Sequence, residues 1–267
     1  MASPDTASPD IAVTPLAGSA DDPIVVLGPS LGTRVERLWA TVAESLSGFR
    51  VIGWDLPGHG RSATAAQPYS TAELAAAVLA AVDTHVGSQQ PLRYAGDSFG
   101  GCVGLQLALD HPDRFVAAAI VCSGAKVATE QVWRDRIDLV EREGLGPVQA
   151  ASSARWFGKA AAEHPTDESR AVLAELLDVD PAGYCQACAA LETFDVRDRL
   201  PEMQVPLLAV AGADDLVTTA EQNLELVSRT PGSRFEVLLD VGHLAPLEAP
   251  EAITTLLQSH FGEGGRA

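Results

Sequence analysis

Aromatic side chains make up only 5% of this 267-residue chain. A large folded core must therefore be built from Ala, Val and Leu rather than from stacked rings. Basic residues are equally sparse, 18 Lys+Arg against 36 Asp+Glu, which leaves a net charge of -18. So acidic a chain repels phosphate backbones and anionic lipid headgroups, and neither nucleic acid nor a membrane surface is an expected partner. No apolar run approaches the roughly 20 residues that span a bilayer. The N-terminus has neither the basic stretch nor the apolar run of a secretory signal, so the expected location is cytoplasmic. Cysteine is also short: Cys102, Cys122, Cys185 and Cys188 are too few to scaffold a chain of this size.

What is present suits one large domain: 46% hydrophobic residues and enough length for a sizeable core. The first residues repeat Ala-Ser-Pro-Asp, at Ala2 to Asp5 and again at Ala7 to Asp10. Such a stretch cannot bury a core. Residues 1–22 are expected to form a mobile tail, with order starting near Ile11 and by Pro23 at the latest. Beyond it, short apolar runs bounded by turn residues recur at Ile24 to Leu27, Val51 to Trp54, Leu92 to Ala95, Val116 to Cys122, Leu207 to Ala211 and Phe235 to Leu239. Near-continuous runs of this kind suit parallel strands covered on both faces.

Helical patterns fall between these strands. Val35, Leu38, Trp39, Val42, Ala43 and Leu46 mark one apolar helix face. Ser70 with Glu73 is a capping box ahead of Leu74, Val78 and Val82. A helix from Gly100 to Asp110 must stop before His111-Pro112. Thr218 with Glu221 predicts another capped start, and Ile253, Leu256, Leu257 and Phe261 a terminal helix. The expected fold class is α/β, with a mostly parallel, doubly wound sheet. Between Cys122 and Leu207 the alternation gives way to helices at Glu130 to Glu143, Pro147 to Phe157, Ser169 to Leu177 and Gly183 to Thr193. The expected division is a core of residues 23–125 and 196–267, interrupted by a helical lid of residues 126–195.

Gly96-Asp97-Ser98-Phe99-Gly100 is a G-x-S-x-G sequence between a predicted strand and a predicted helix start. At such a turn the serine adopts a strained backbone with its hydroxyl above the sheet, and the glycines let strand and helix pass closely. The helix N-terminus beneath favours developing negative charge. A serine hydroxyl also needs a base. Of His59, His85, His111, His164, His243 and His260, only His243 follows a late predicted strand. His59 precedes the serine and reads as a turn residue, His85, His111 and His260 as helix ends, and His164 as lid surface.

The carboxylate that orients such a base should follow the preceding strand, where Ala211-Gly212-Ala213-Asp214-Asp215 supplies two. Asp215 is preferred, because a G-x-x-D spacing carries the carboxylate past the turn, and Asp214 is the alternative. Asp97 is adjacent to Ser98 but points away at such a turn and reads as a structural or pocket-wall residue. Oxyanion donors are expected from the N–H of Phe99 and, in the Gly28 to Thr33 loop, from Leu31, since Pro29 has no N–H. Cys185 and Cys188 form a C-x-x-C without a second pair or nearby His, so neither metal nor cofactor is expected. Asp178-Val179-Asp180 reads as a solvated loop.

The order Ser98, Asp215, His243 is that of the α/β-hydrolase triad, and the chain resembles that family. Within it the sequence is similar to 3-oxoadipate enol-lactonases from about Pro23 to Phe261. The more specific matches are Pro29 to Thr33, Cys122 to Lys126 followed by Trp133, Arg136 and Ile137, then Arg155-Trp156-Phe157, and Phe194 to Leu200. Departures are Pro29 where Asn is usual, and Asp97 and Phe99 where aliphatic residues flank the serine in many members. The resemblance implies an α/β-hydrolase fold with a helical lid. It also implies opening of a small carboxylated enol lactone through an acyl-enzyme, in aromatic-compound catabolism by the β-ketoadipate route.

Substrate contacts implied by the lid stretch are Trp133, Arg134, Arg136 and Trp156. An anionic substrate meeting so acidic a protein needs a local cation, for which Arg134 and Arg136 are the candidates; the alternative is exposed pairing with Asp135 and Asp138. Competing functions are another carboxylesterase, lactonase or perhydrolase on the same scaffold, or a hydrolase-like ligand-binding protein. Each takes a small-molecule ligand. The sequence does not set an oligomeric state.

Overall fold

The computed structural model describes residues 8–263. Its strands are β1 (Val13–Ala17), β2 (Ile24–Gly28), β3 (Arg50–Trp54), β4 (Leu92–Asp97), β5 (Phe115–Val121), β6 (Leu207–Gly212) and β7 (Arg234–Leu238). They form one sheet in the order β1-β3-β2-β4-β5-β6-β7. Every pairing from β3 to β7 is parallel, and only β1 runs antiparallel, against β3. Each residue of β2, β4 and β6 is buried. Helices therefore cover both faces there, which is why these strands are apolar throughout rather than alternating.

β1 shortens the tail expected over residues 1–22, while its position agrees with order starting near Ile11. Val13 lies opposite Trp54 and Pro15 opposite Ile52, so part of the stretch 1–22 belongs to the sheet. Residues 1–7 lie outside the described residues. The strand escaped notice because it is an edge strand of five residues containing Pro15, and edges tolerate both brevity and proline. Ser62 anchors its approach: the Ala12 N–H donates to the Ser62 hydroxyl at 2.9 Å, which itself donates to Asp55 C=O at 2.8 Å.

The first helical face is split into α1 (Val35–Leu38) and α2 (Ala40–Ser45) around Trp39, whose buried indole N–H donates to Gly28 C=O at 2.9 Å. α3 (Thr71–Val86) opens with the Ser70–Glu73 capping box, and α4 (Phe99–Asp110) ends before His111-Pro112.

The helical insertion contains α5 (Glu130–Glu143), α6 (Gly146–Ser153), α7 (Lys159–Glu163), α8 (Asp167–Glu175) and α9 (Pro181–Thr193). It leaves and rejoins the sheet layer side by side, since the Val196 N–H donates to Ala125 C=O at 2.9 Å. α6 stops at Ser153, short of the expected Phe157, so that Arg155, Trp156 and Phe157 turn off the helix towards the core. The acidic stretch at 178–180 is not simply solvated. Asp178 pairs with Arg34 at 2.9 Å, and Asp180 caps α9 while accepting from Thr64 at 2.8 Å.

α10 (Ala220–Arg229) starts one residue later than predicted, capped by Thr219 with Gln222, because Thr218 is engaged elsewhere. α11 (Ala245–Glu248) and α12 (Pro250–Glu263) complete the chain's helices among the described residues. None of the described helices is long and apolar enough to cross a membrane.

Asp55, at the end of β3, is buried, and its carboxylate accepts the N–H groups of Val35 at 2.9 Å and Arg61 at 3.0 Å. It joins the start of α1 to the loop after β3. Asp55→Ala should leave both donors unpaired and cost at least about 2 kcal/mol, since each unsatisfied buried donor costs roughly 1–3 kcal/mol. Urea unfolding measures this directly, and a loss under about 0.5 kcal/mol would show that water replaces the carboxylate without penalty.

Candidate active site

Because β4, β6 and β7 run parallel, their C-terminal ends open on one edge of the sheet, where such folds place ligands. Ser98 follows β4, Asp215 follows β6 and His243 follows β7. Ser98 has φ 52° and ψ -114°, a left-handed conformation that strains any non-glycine residue. Its N–H donates to Val121 C=O at 2.9 Å, and its carbonyl accepts from the Ser123 hydroxyl at 2.6 Å. A Cβ on Gly100 would lie 2.6 Å from Gly28 C, and one on Gly96 would strike the Gly100 carbonyl. Both positions need glycine for the strand, elbow and helix to pass.

The Ser98 hydroxyl donates to His243 Nε2 at 2.9 Å, and His243 Nδ1 donates to Asp215 Oδ2 at 2.9 Å. All three residues are buried. Asp215 also accepts from the N–H groups of Val217 and Thr218 at 2.7 and 3.0 Å and from the Thr218 hydroxyl at 2.8 Å. Burial opposes its charge, but the His243 ring and these donors outweigh burial and hold its carboxyl below the usual range. With Nδ1–H committed to Asp215, Nε2 presents its lone pair to the serine proton. Asp214, the alternative acid, instead accepts the Lys159 N–H at 3.0 Å.

Leu31 lies on the wall of the same pocket as Ser98, and Phe99 opens α4. Neither backbone N–H has a protein acceptor among the described residues. The Gly100 N–H donates to Pro29 C=O at 2.9 Å, which fastens the Leu31 loop against the elbow.

The pocket is a cavity of about 60 Å³, where a single water takes about 10–15 Å³. It therefore suits a small ligand. Trp133 and Trp156 wall it, and the Trp133 indole is fixed by donating to Val127 C=O at 2.7 Å. Arg136 faces the cavity and donates to the Tyr184 hydroxyl at 3.1 Å. Arg134 does not. It is exposed and pairs with Glu130 at 3.0 Å and Glu192 at 2.7 Å, because one residue past Trp133 turns it about 100° round the helix, off the inward face that Trp133 and Arg136 share at i, i+3.

Arg155, part of the Arg155-Trp156-Phe157 match to the enol-lactonases, also lines the pocket. It makes no side-chain hydrogen bond or ion pair among the described residues, and burial, then the Arg136 cation, push its pKa down. Tyr184 and Thr218 are the site residues that the sequence did not single out. Tyr184 sits in a run of small residues with no distinguishing pattern, whereas Thr218, three residues after Asp215, was read only as a cap.

A sequence profile of the α/β-hydrolase fold matches residues 23–250. The chain belongs to this family. As an α/β hydrolase it is 32% identical to 3-oxoadipate enol-lactonase 2 of Acinetobacter baylyi, over 91% of this chain and 90% of that one. A pimeloyl-[acyl-carrier protein] methyl ester esterase of Neisseria meningitidis is 30% identical over 79% of this chain and 67% of its own. Among solved structures, the enol-lactonase from Burkholderia xenovorans superposes with a TM-score of 0.89 at 29% identity, covering 94% of this chain and 96% of that one.

Asp97 is the electrostatic oddity of this hydrolase. It is fully buried beside the elbow, and neither carboxyl oxygen has a hydrogen-bond partner among the described residues. Burial first, then the nearby charge of Asp215, push its carboxyl well above the usual range; the Ser30 hydroxyl, near but not hydrogen-bonded to it, pulls the other way, and Glu248 adds a smaller push. A folded state that keeps this proton when the unfolded chain has lost it becomes less stable as pH rises from about 4. Asp97→Asn removes the titration, so its melting temperature should gain on the wild type between pH 4 and pH 8. A constant difference across that range would mean that Asp97 is ionised in the fold like any exposed carboxylate.

Proposed function

We propose that this protein is a carboxylic ester hydrolase whose substrate is a small carboxylated enol lactone of the 3-oxoadipate type, acting in aromatic-compound breakdown. The observation that carries the hydrolytic part is the unbroken chain from Ser98 Oγ through His243 to Asp215, with 2.9 Å at each link. In this reading Ser98 Oγ attacks the lactone carbonyl carbon while His243 Nε2 takes its proton. The N–H groups of Leu31 and Phe99 face the oxyanion that forms. Collapse of the tetrahedral intermediate breaks the ring C–O bond, and His243 returns the proton to the departing enol oxygen. The tethered enol then tautomerises to a ketone, which removes the nucleophile that would close the ring again. Water, deprotonated by His243, attacks the acyl-enzyme and frees Ser98.

The lactone part rests on charge and size. In a chain of net charge -18, Arg136 and Arg155 put two guanidinium groups into one small pocket, which suits a ligand that brings its own carboxylate. The similarity to two enol-lactonases of Acinetobacter baylyi, 32% and 31% identical, supports the same substrate. A cavity of about 60 Å³ does not favour a long acyl chain.

The test compares a carboxylated enol lactone, followed by loss of its ultraviolet absorbance, with a neutral p-nitrophenyl ester. Ser98→Ala and Asp215→Asn should each lower kcat on the order of 10⁴-fold on both substrates. Unchanged rates in folded Ser98→Ala would remove the hydrolase reading altogether. Arg136→Ala should lower kcat/KM for the lactone by about 10- to 150-fold, mostly through KM, and leave the neutral ester nearly untouched, as expected for a contact worth roughly 1.5–3 kcal/mol. Equal losses on both substrates would reduce Arg136 to a structural role.

A further inference from the structure

Glu248, the last residue of α11, lies outside the pocket wall and takes no part in the steps above. Its two carboxyl oxygens nevertheless serve two distant segments. Oε1 accepts the N–H of Gly242, the residue before His243, at 3.0 Å, and Oε2 accepts the N–H of Gly158 in the helical insertion at 2.7 Å. Two residues before Gly158, the Trp156 carbonyl accepts the N–H groups of His243 itself at 2.9 Å and of Leu244 at 3.1 Å. Two hydrogen bonds thus join Trp156–Gly158 directly to the loop that carries the base, and two more bridge them through Glu248.

The two backbones meet with no side chain between them. A Cβ on Gly158 would lie 2.6 Å from Asp240 O, and one on Gly242 would lie 2.5 Å from Gly158 N and 2.9 Å from Glu248 Oε1. Neither residue can carry a side chain here, so the carboxylate is the group that pins both N–H donors. The segment it pins also holds Trp156 and Arg155, whose side chains face the cavity.

We infer that Glu248 is a positioning residue, which fixes His243 and the pocket cation Arg155 in one frame by bonding Gly242 and Gly158 with a single carboxylate. This rests on the reading of Ser98 and His243 as nucleophile and base. Burial is costly to such a carboxylate: it raises the Glu248 pKa to about 7, against the pull of its two N–H donors and of His243, while Asp215 adds to the rise. A group kept at that cost in a place where an apolar side chain would pack is held there by the bonds it makes. Gln at this position keeps one acceptor oxygen and can serve only one of the two N–H groups. Ala serves neither.

The experiment measures kcat and KM of full-length Glu248→Gln and Glu248→Ala on the carboxylated lactone and the neutral ester, with the melting temperature and the rate at which a fluorophosphonate labels Ser98. A misplaced base costs on the order of 100-fold for about 1 Å of error. Glu248→Ala should therefore lose about 100-fold in kcat on both substrates and in labelling rate, with Glu248→Gln intermediate. KM should rise several-fold for the carboxylated lactone alone, because only that substrate uses Arg155. Folded variants with kcat and labelling within twofold of wild type would overturn the proposal, whatever happens to the melting temperature. If Glu248→Ala does not fold, Glu248→Gln decides on the same criteria. Labelling needs only an activated Ser98, so it separates a failure here from a wrong substrate. A Ser98 that resists the reagent in the wild type would point instead to failure of the triad reading.

Discussion

The structure hinges on a left-handed serine. A φ of 52° at Ser98 is tolerated because its neighbours leave it no alternative: Val121 holds its N–H, Ser123 its carbonyl, and Gly96 and Gly100 have no Cβ to resist the turn. That backbone lifts the hydroxyl off the end of β4 and sets it 2.9 Å from His243. Everything else in the site is placed relative to this point. The Leu31 loop is tied to it through Gly100 and Pro29, and the loops after β6 and β7 meet it because the sheet is parallel there.

Charge is distributed against the grain of the whole chain. A protein with twice as many acidic as basic residues turns Arg136 and Arg155 inward, while Arg134, on the same helix as Arg136, is neutralised outside by Glu130 and Glu192. The net repulsion of an anionic ligand at long range is screened over about 8 Å at physiological salt, whereas a guanidinium inside the cavity acts at contact. Beneath the pocket three carboxyls, Asp97, Asp215 and Glu248, lie close enough to influence one another. Only Asp215 has enough donors to sit below the usual carboxylate range. The other two are raised, Asp97 well above that range and Glu248 to about 7, so Asp215 is the one of the three most firmly held as an anion, beside His243.

How much of this was legible in the sequence follows from whether the determinants are local. The elbow is local: strand, glycines and serine are contiguous, so Ser98 stood out. Asp215 could be found because it follows the unbroken apolar run of β6, and His243 because it follows β7, which Phe235, Val237 and Leu238 mark as a strand even though Glu236 interrupts the run. β1 was hidden because an edge strand with one partner needs no continuous apolar run, and Pro15 argued against it. Arg134 and Arg136 were indistinguishable by composition, since which of them faces inward depends on how α5 packs against α9. Arg155 and Tyr184 belong to the same class. Their role exists only once the insertion is folded over the sheet, and no spacing in the chain announces it. Thr218 was seen as a cap and is in fact a ligand of Asp215, because a hydroxyl three residues after a carboxylate can satisfy either pattern.

The insertion is more than a cover. A helical layer resting on a sheet by side-chain packing alone is free to shift by the slack in that packing, and surface ion pairs such as Arg34–Asp178 add little restraint. Backbone hydrogen bonds are less forgiving, because a buried N–H that loses its acceptor has nowhere else to turn. The bonds from Trp156 and Glu248 to residues 242–244 are of this second kind. They attach the insertion at the loop that carries His243, while the Asp180 N–H bond to Gly58 C=O at 3.0 Å fastens it again at the loop after β3. The part of the pocket wall formed by Arg155 and Trp156 is consequently held in one frame with His243, so a ligand gripped there is presented to the imidazole at a set distance. A fold that varies its insertion to change substrate can therefore keep its chemistry only if the new wall is fastened at the same place.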